Sequence, residues 1–250
     1  MIVREDQGAV AVVRLAHGKV SALDIELCDA IVEALAGIGA GDARAVVITG
    51  TGPAFSAGVD LFRVTAGGEA YVRAFLPRMD ALFRAVLTCP KPVVAAVNGH
   101  AIAGGCILAA ACDHRIMARG NGRIGVPELL VGVPFPALPL SIMRARVPAS
   151  AIRRLVNSGD TVLPDEALTV GLVDEICDPD ALMAQALAVA TTLAAIPALS
   201  FALTKQAFVQ PVLDQVASLA GVDAGVARAW ADPAIHQAIA GYLERTVRRK

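Results

Sequence analysis

The chain has 250 residues, enough for one large domain or one domain with a helical extension. Hydrophobic residues make up 56% of it, so a sizeable core is assured, while aromatic residues supply only 4%. The formal net charge is -1 and neither sign forms a long run, which argues against a nucleic-acid surface; the Arg248-Arg249-Lys250 end reads as a solvated tail.

The opening MIVREDQG turns polar at once and resembles neither a secretory signal nor a transit peptide. AVAVVRL (9–15) reads as a buried strand, and residues 24–38 carry apolar side chains at helical spacing with Asp24 as the N-cap. RAVVITG (44–50) is a β-branched run ended by glycine, hence a strand and a turn. Residues 70–88 have helical spacing, broken at Cys89 by Pro90 and Pro92, and PVVAAVNG returns to strand character. A helix then starts near Gly104, a short strand is expected at Ile116-Met117, and helices follow around 137–157 and 164–171. A strand near LVDEI (172–176) completes the alternation expected of an α/β core. From Asp180 to Lys250 the patterning is helical, with breaks expected at Pro197, Pro211 and Pro233.

Residues 92–112 and 181–204 are free of charge for long enough to raise the question of a membrane span, which needs ~20 strongly apolar residues. Asn98 and three glycines interrupt the first, and Gln185, two threonines and Pro197 interrupt the second, so buried soluble structure is expected for both. Cys28, Cys89, Cys106, Cys112 and Cys177 are an odd number without a C-x-x-C pair, and mostly in apolar surroundings. Such thiols act as small hydrophobes, and they point to a reducing compartment, the cytoplasm, and no metal site. His17, His100, His114 and His236 lack metal-ligand spacing and are expected to be structural.

Chemistry has three places to sit. GTGPAFSAGVDL (50–61) is a run of small residues after a strand; it is either an ordinary connection or a loop whose amides approach a ligand. It contains neither G-K-S/T nor G-x-G-x-x-G, so a phosphate loop is not supported. The Gly104-Gly105 pair opens an apolar helix, where tight packing and a free positive helix end are both open readings. Two loops that each present an N–H would make an oxyanion hole for an acyl substrate. Third, Glu128 follows Pro127 among Val126, Leu129, Leu130 and Val131. It is either an acid favoured in a first helical turn or a desolvated carboxylate raised toward a general base's range. Ser56 lacks the G-x-S-x-G context of a nucleophile, and Ser21 has no evident base.

Taken together, these segments resemble the crotonase superfamily, the enoyl-CoA hydratase/isomerase family, over nearly the whole chain. SALDIELCDAIVEAL is similar to the family's N-A-L helix, with Ser21 in place of Asn, and AFSAGVDL is close to its F-x-A-G-x-D-L/I loop. KPVVAAVNGHAIAGGCILAAACDHRIMA and IGVPELLVGVPFP follow in the family's order. The resemblance implies an α/β fold, a spiral of ββα units over residues 1–193, with a helical C-terminal region, 194–250, carrying contacts of a homo-trimer or a dimer of trimers. It implies an acyl-CoA thioester as substrate, no cofactor beyond the CoA that the substrate carries, and no nucleic-acid or membrane partner. Ala57 and Gly104 would give the two N–H groups that bind the thioester oxygen, and Glu128 would be the catalytic acid–base group. Ser21, Ala22, Leu23, Gly58, Val59, Asp60, Leu61 and Gly105 would line the CoA ester. Tyr242 and Arg245 would reach a neighbouring chain's CoA adenine or 3′-phosphate.

One departure bears on the reaction. Hydratases of the family carry two carboxylates, and the first of these positions is Ile107 here, leaving Glu128 alone. Adding water across a double bond wants two groups to hold and activate it, whereas moving the bond needs one base. Together with AGGCILAAACD and AIPALSFALTKQAF, this resembles the Δ3,Δ2-enoyl-CoA isomerases. A hydratase, a decarboxylase or other lyase using Glu128, and a non-catalytic acyl-CoA-binding protein are the alternatives.

Overall fold

The computed structural model describes residues 1–246; the basic tail at 248–250 lies outside the described residues. Two strands open the chain, β1 (Ile2–Gln7) and β2 (Val10–Leu15), followed by helix α1 (Ile25–Ala40). Asp24 caps α1 as expected, accepting the Leu27 N–H at 2.8 Å. Three turns of a spiral follow, each made of two strands and a helix. They are β3 (Ala45–Thr49), β4 (Ala54–Ser56) and α2 (Leu61–Thr88); β5 (Val93–Val97), β6 (His100–Ile102) and α3 (Gly104–Ala111); and β7 (His114–Ala118), β8 (Ile124–Gly125) and α4 (Glu128–Val131). Then come α5 (Ala137–Arg146), α6 (Ala149–Ser158), β9 (Thr161–Val162), α7 (Pro164–Thr169) and β10 (Glu175–Cys177). Four longer helices end the described chain: α8 (Leu182–Ala194), α9 (Ala198–Ser218), α10 (Ala220–Ala231) and α11 (Pro233–Thr246).

Each spiral turn gives its first strand to one sheet and its second to another. The larger sheet has the order β1-β2-β3-β5-β7-β10, parallel except for the β1–β2 pair, and the smaller has the order β4-β6-β8-β9. Strand side chains alternate between faces. Val13, Val46, Ile48 and Ala95 face α1, α2 and α3, whereas Val12, Val47, Val94 and Ile116 face α8. Ala186, Ala190 and Ala194 line the sheet-facing stripe of α8, so small side chains let this helix lie close on the strands.

Four local expectations need correction. The polar opening residues form the edge strand β1, whose Arg4, Glu5 and Asp6 are exposed; charge on an edge strand blocks pairing with another chain. Helix α2 begins nine residues earlier than its clear periodicity, at Leu61, and bends at Gly68, which has φ 59°. Helix α9 runs through Pro211, which is exposed, so solvent compensates the missing hydrogen bond while Lys205, Val209 and Val212 stay buried. Of the stretches checked for membrane spans, 92–112 is mostly buried in β5, β6 and α3 as expected, but 181–204 runs through α8 into the start of α9, where Leu199 and Leu203 are exposed rather than buried. Among the described residues no single helix is long and apolar enough to cross a membrane, and the pair that includes α8 and α9 is bent by 103°.

Candidate active site

The loops leading from β4 and β6 are pressed together, and that contact explains the glycines. A Cβ on Gly58 would lie 2.3 Å from the Ile102 carbonyl oxygen, and one on Gly105 would lie 2.2 Å from that of Ser56. Both positions must therefore be glycine on packing grounds alone. The close approach also brings the start of α3 beside Gly58: the Gly104 nitrogen would stand 3.0 Å from a Cβ placed there. Gly104 is the first residue of α3, so its N–H has no partner within the helix. Ala103, just before it, is held at φ 50°, ψ −121°, a backbone region that glycine occupies more easily.

Which amide faces Gly104 differs from expectation by two residues. The Ala57 N–H donates to the Val20 carbonyl oxygen at 2.9 Å, so it is not available to a substrate. Val59 takes its place. Leu23 forms a parallel bridge around Val59, donating its N–H to Gly58 O at 2.8 Å and accepting the Asp60 N–H at 2.9 Å. In such a bridge the central residue's own N–H points to the opposite side. Val59 and Gly104 line the same cavity, so two main-chain donors stand at one place.

Glu128 enters that cavity from the first position of α4. It is buried, and its Oε2 has no hydrogen-bond partner. Burial pushes its carboxyl up to about 8, against a smaller opposing effect of its own backbone N–H. Apart from Tyr242, the remaining walls are apolar, with Leu61, Phe83, Ile102, Ile107, Phe135 and Trp230 among them. Ile107, at the position of a second family carboxylate, presents only hydrocarbon to this space. The arrangement suits a reaction in which one base moves a proton beside a carbonyl whose oxygen is held by two amides, with water kept out.

A sequence profile describing the enoyl-CoA hydratase/isomerase family matches residues 5–248. The chain belongs to the enoyl-CoA hydratase/isomerase family. It is similar to a putative enoyl-CoA hydratase of Thermus thermophilus, with 39% identity over 82% of this chain and 82% of the relative. The mouse mitochondrial enoyl-CoA delta isomerase 1 is 31% identical over 82% of this chain and 72% of its own length. The crystal structure of the human mitochondrial delta3-delta2-enoyl-CoA isomerase superposes with a TM-score of 0.94 at 27% identity, covering 100% of this chain and 99% of that one. Members of this enoyl-CoA family thus share the two-sheet spiral found here, and relatives with both activities occur at similar identity.

Within this family member, the other expected ligand residues divide into groups. Val59, Leu61 and Tyr242 line the cavity; Leu23, Gly58 and Gly105 frame it by backbone contacts. Ala22 is half-buried between Ser21 and Leu23. The Asp60 side chain accepts the Arg63 N–H at 3.1 Å and so caps α2. The Ser21 hydroxyl donates to Leu15 O at 3.2 Å, turned toward the protein. Tyr242 was expected at a neighbouring chain's CoA, but it lies in its own chain's cavity. The cause is apolar packing: Trp230 and Ile239 join Val64, Val72, Val131 and Val133, folding α10 and α11 back over α2 and α4. Burial and the nearby Glu128 both push the Tyr242 phenol above its ordinary range. Arg245 is exposed in the last turn of α11 and is not among the cavity residues.

Trp230, Phe83 and Met79 were not anticipated as site residues. Their only signal was rarity, Trp230 being the single tryptophan in an alanine-rich stretch. Its Nε1–H donates to Pro134 O at 2.9 Å, and His236 Nε2 lies 2.8 Å from its carbonyl oxygen. His17 pairs with Asp24 at 2.7 Å and His114 with Glu175 at 2.8 Å, while His100 Nδ1 accepts the Arg123 N–H at 3.1 Å. All four histidines therefore make structural contacts away from Glu128. The five cysteines are buried free thiols.

Proposed function

We propose that this family member converts a 3-enoyl-CoA to a 2-enoyl-CoA, with Glu128 as the base that carries the proton. The observation that carries the reading is a single buried carboxylate, one oxygen of which has no partner, in a cavity beside the Val59 and Gly104 amides. In the first step Glu128, as carboxylate, takes a proton from C2, and the electron pair spreads over C2, C4 and the thioester oxygen. The two N–H groups hold the negative charge on that oxygen. In the second step the Glu128 carboxylic acid returns the proton to C4, and the double bond is left between C2 and C3. No atom is gained or lost, and no water is required. A base raised by burial to about 8 is stronger than an exposed glutamate, which narrows its gap to the C2 proton.

The hydratase reading is favoured by the name of the Thermus relative. Ile107 weighs against it, because a water molecule beside Glu128 would face hydrocarbon where a second carboxylate would hold it. Self-association through the C-terminal helices is part of the proposal, supported by exposed Leu199, Leu203 and Phe208 on α9. The five buried thiols suit a reducing compartment such as the cytoplasm.

The test offers purified protein 3-enoyl-CoA and 2-enoyl-CoA esters of several lengths. Conversion of the first with little or no hydration of the second is expected. Glu128→Gln should cut conversion by about 10²- to 10⁴-fold and keep CoA-ester binding, since both amides remain. Full conversion by that variant would remove Glu128 from the mechanism; saturable binding without turnover of any ester would identify a binding protein instead.

A further inference from the structure

The cavity at Glu128 has a volume of about 80 Å³. That is roughly half of the ~150 Å³ space that takes up one benzene molecule, so it holds about three or four carbon atoms. A second cavity of about 860 Å³ lies between α2, α5 and α10. Met79, Pro136 and Pro139 line both spaces and are therefore the partition between them.

The parts of this partition differ in stiffness. Pro136 and Pro139 have fixed φ angles, and the segment is tied down where Ala137 donates its N–H to Asp223 Oδ1 of α10 at 2.8 Å. Met79 instead closes the gap with an unbranched side chain, and it is only 4% exposed. Behind it the groove offers Val72, Leu76, Val226 and Ala227 as an apolar floor, with Arg73 and Asp80 among the charged residues that also line it.

Building on the double-bond reading above, we infer that Met79 is the end wall of the acyl pocket and restricts the site to short-chain CoA esters. Removing its thioether end joins the two cavities and gives a longer acyl tail an apolar path along α2 and α10. Met79 acts here as a specificity-determining residue, and the reaction at Glu128 is the same with either chain length.

The experiment measures dissociation constants of saturated acyl-CoAs from four to twelve carbons, which needs no turnover. For the unaltered protein, affinity levels off or falls beyond about four to six carbons. For Met79→Ala it continues to rise, by about fourfold for each further methylene that leaves water. Adding Ala227→Trp to that variant fills the groove from the other side and restores the short-chain profile. Met79→Val is the milder truncation and shifts the profile in the same direction should the alanine variant not fold. A length profile unmoved by truncation of Met79, with all esters bound, overturns the end-wall inference and leaves the proposed reaction standing. If the unaltered protein binds no acyl-CoA at all, the acyl-CoA reading itself fails and the end wall fails with it.

Discussion

Acids meet the core in two ways, and the contrast separates what holds the fold from what can do chemistry. Between β5, β7 and α9, Asp113 accepts the Val93 N–H at 2.9 Å and pairs with Lys205 at 2.6 Å, with Arg146 at 3.9 Å. Nearby, partial desolvation would raise the carboxyl of the half-exposed Asp174, but two Arg115 contacts at 2.9 and 2.7 Å outweigh it and hold Asp174 below the ordinary range. Asp113 is thus matched by two cations and a main-chain donor, and Arg115 holds Asp174 in its ionised form. Among the described residues Glu128 has no cation beside it, and one of its oxygens has no partner, so it sits near the point where it can take or release a proton. A satisfied charge at the core's margin locks elements together; an unsatisfied acid at a cavity wall is available to a substrate.

The largest way to break this contrast is to exchange the consequences. Glu128→Gln is expected to lower kcat/KM for 3-enoyl-CoA by about 10²- to 10⁴-fold, the range of general acid–base contributions, while the fold persists. Steady-state kinetics beside a thermal melt checks both halves. Lys205→Met should do the reverse: it leaves the part-buried Asp113 without its main partner and costs about 1–3 kcal/mol of stability. Denaturant unfolding measures that loss, and the rate per folded molecule should stay close to that of the unaltered protein.

A pH titration sharpens the comparison further. Glu128 works as a base only when ionised, so kcat/KM should rise about tenfold per pH unit below about 8 and level off above it. Stability should move the other way. A carboxyl raised in the folded state from 4.5 to about 8 contributes stability that is fully present below 4.5 and lost as pH rises through about 8. Melting temperatures of the unaltered protein should therefore fall relative to Glu128→Gln over that window, and parallel curves would contradict the assignment. The smallest effect concerns the Ala103 backbone. At φ 50°, ψ −121° an alanine is strained, so Ala103→Gly should add about 1 kcal/mol after the entropic cost of glycine. Chemical denaturation resolves a change of that size.

Much of the site was legible because its signals are local. Small residues in 50–61, the glycine pair before an apolar helix, and a lone acid after Pro127 each stand within a short segment. The α/β alternation was legible for a related reason, since strands and helices follow one another with clear periods through the first part of the chain; the spiral itself came from the family resemblance, because β4, β6, β8 and β9 are too short to show a period. The amide donors show where such reading stops. Whether Ala57 or Val59 offers a free N–H depends on Val20 and Leu23, which reach the loop only once the chain has folded. Trp230 was hidden and Tyr242 assigned to the wrong place for the same reason, because only the packing of α10 and α11 on α2 brings them to Glu128. Pro211 shows the converse, a strong local break signal overridden because the residue faces solvent on a well-anchored helix.

The placement of Trp230 has a practical side. It is the chain's one tryptophan, it is fixed at its indole nitrogen by Pro134, and its ring borders the space that Glu128 faces. The protein thus carries a built-in optical reporter: emission excited at the indole band originates from a single fluorophore at the binding cavity, and occupancy there can be followed without any label.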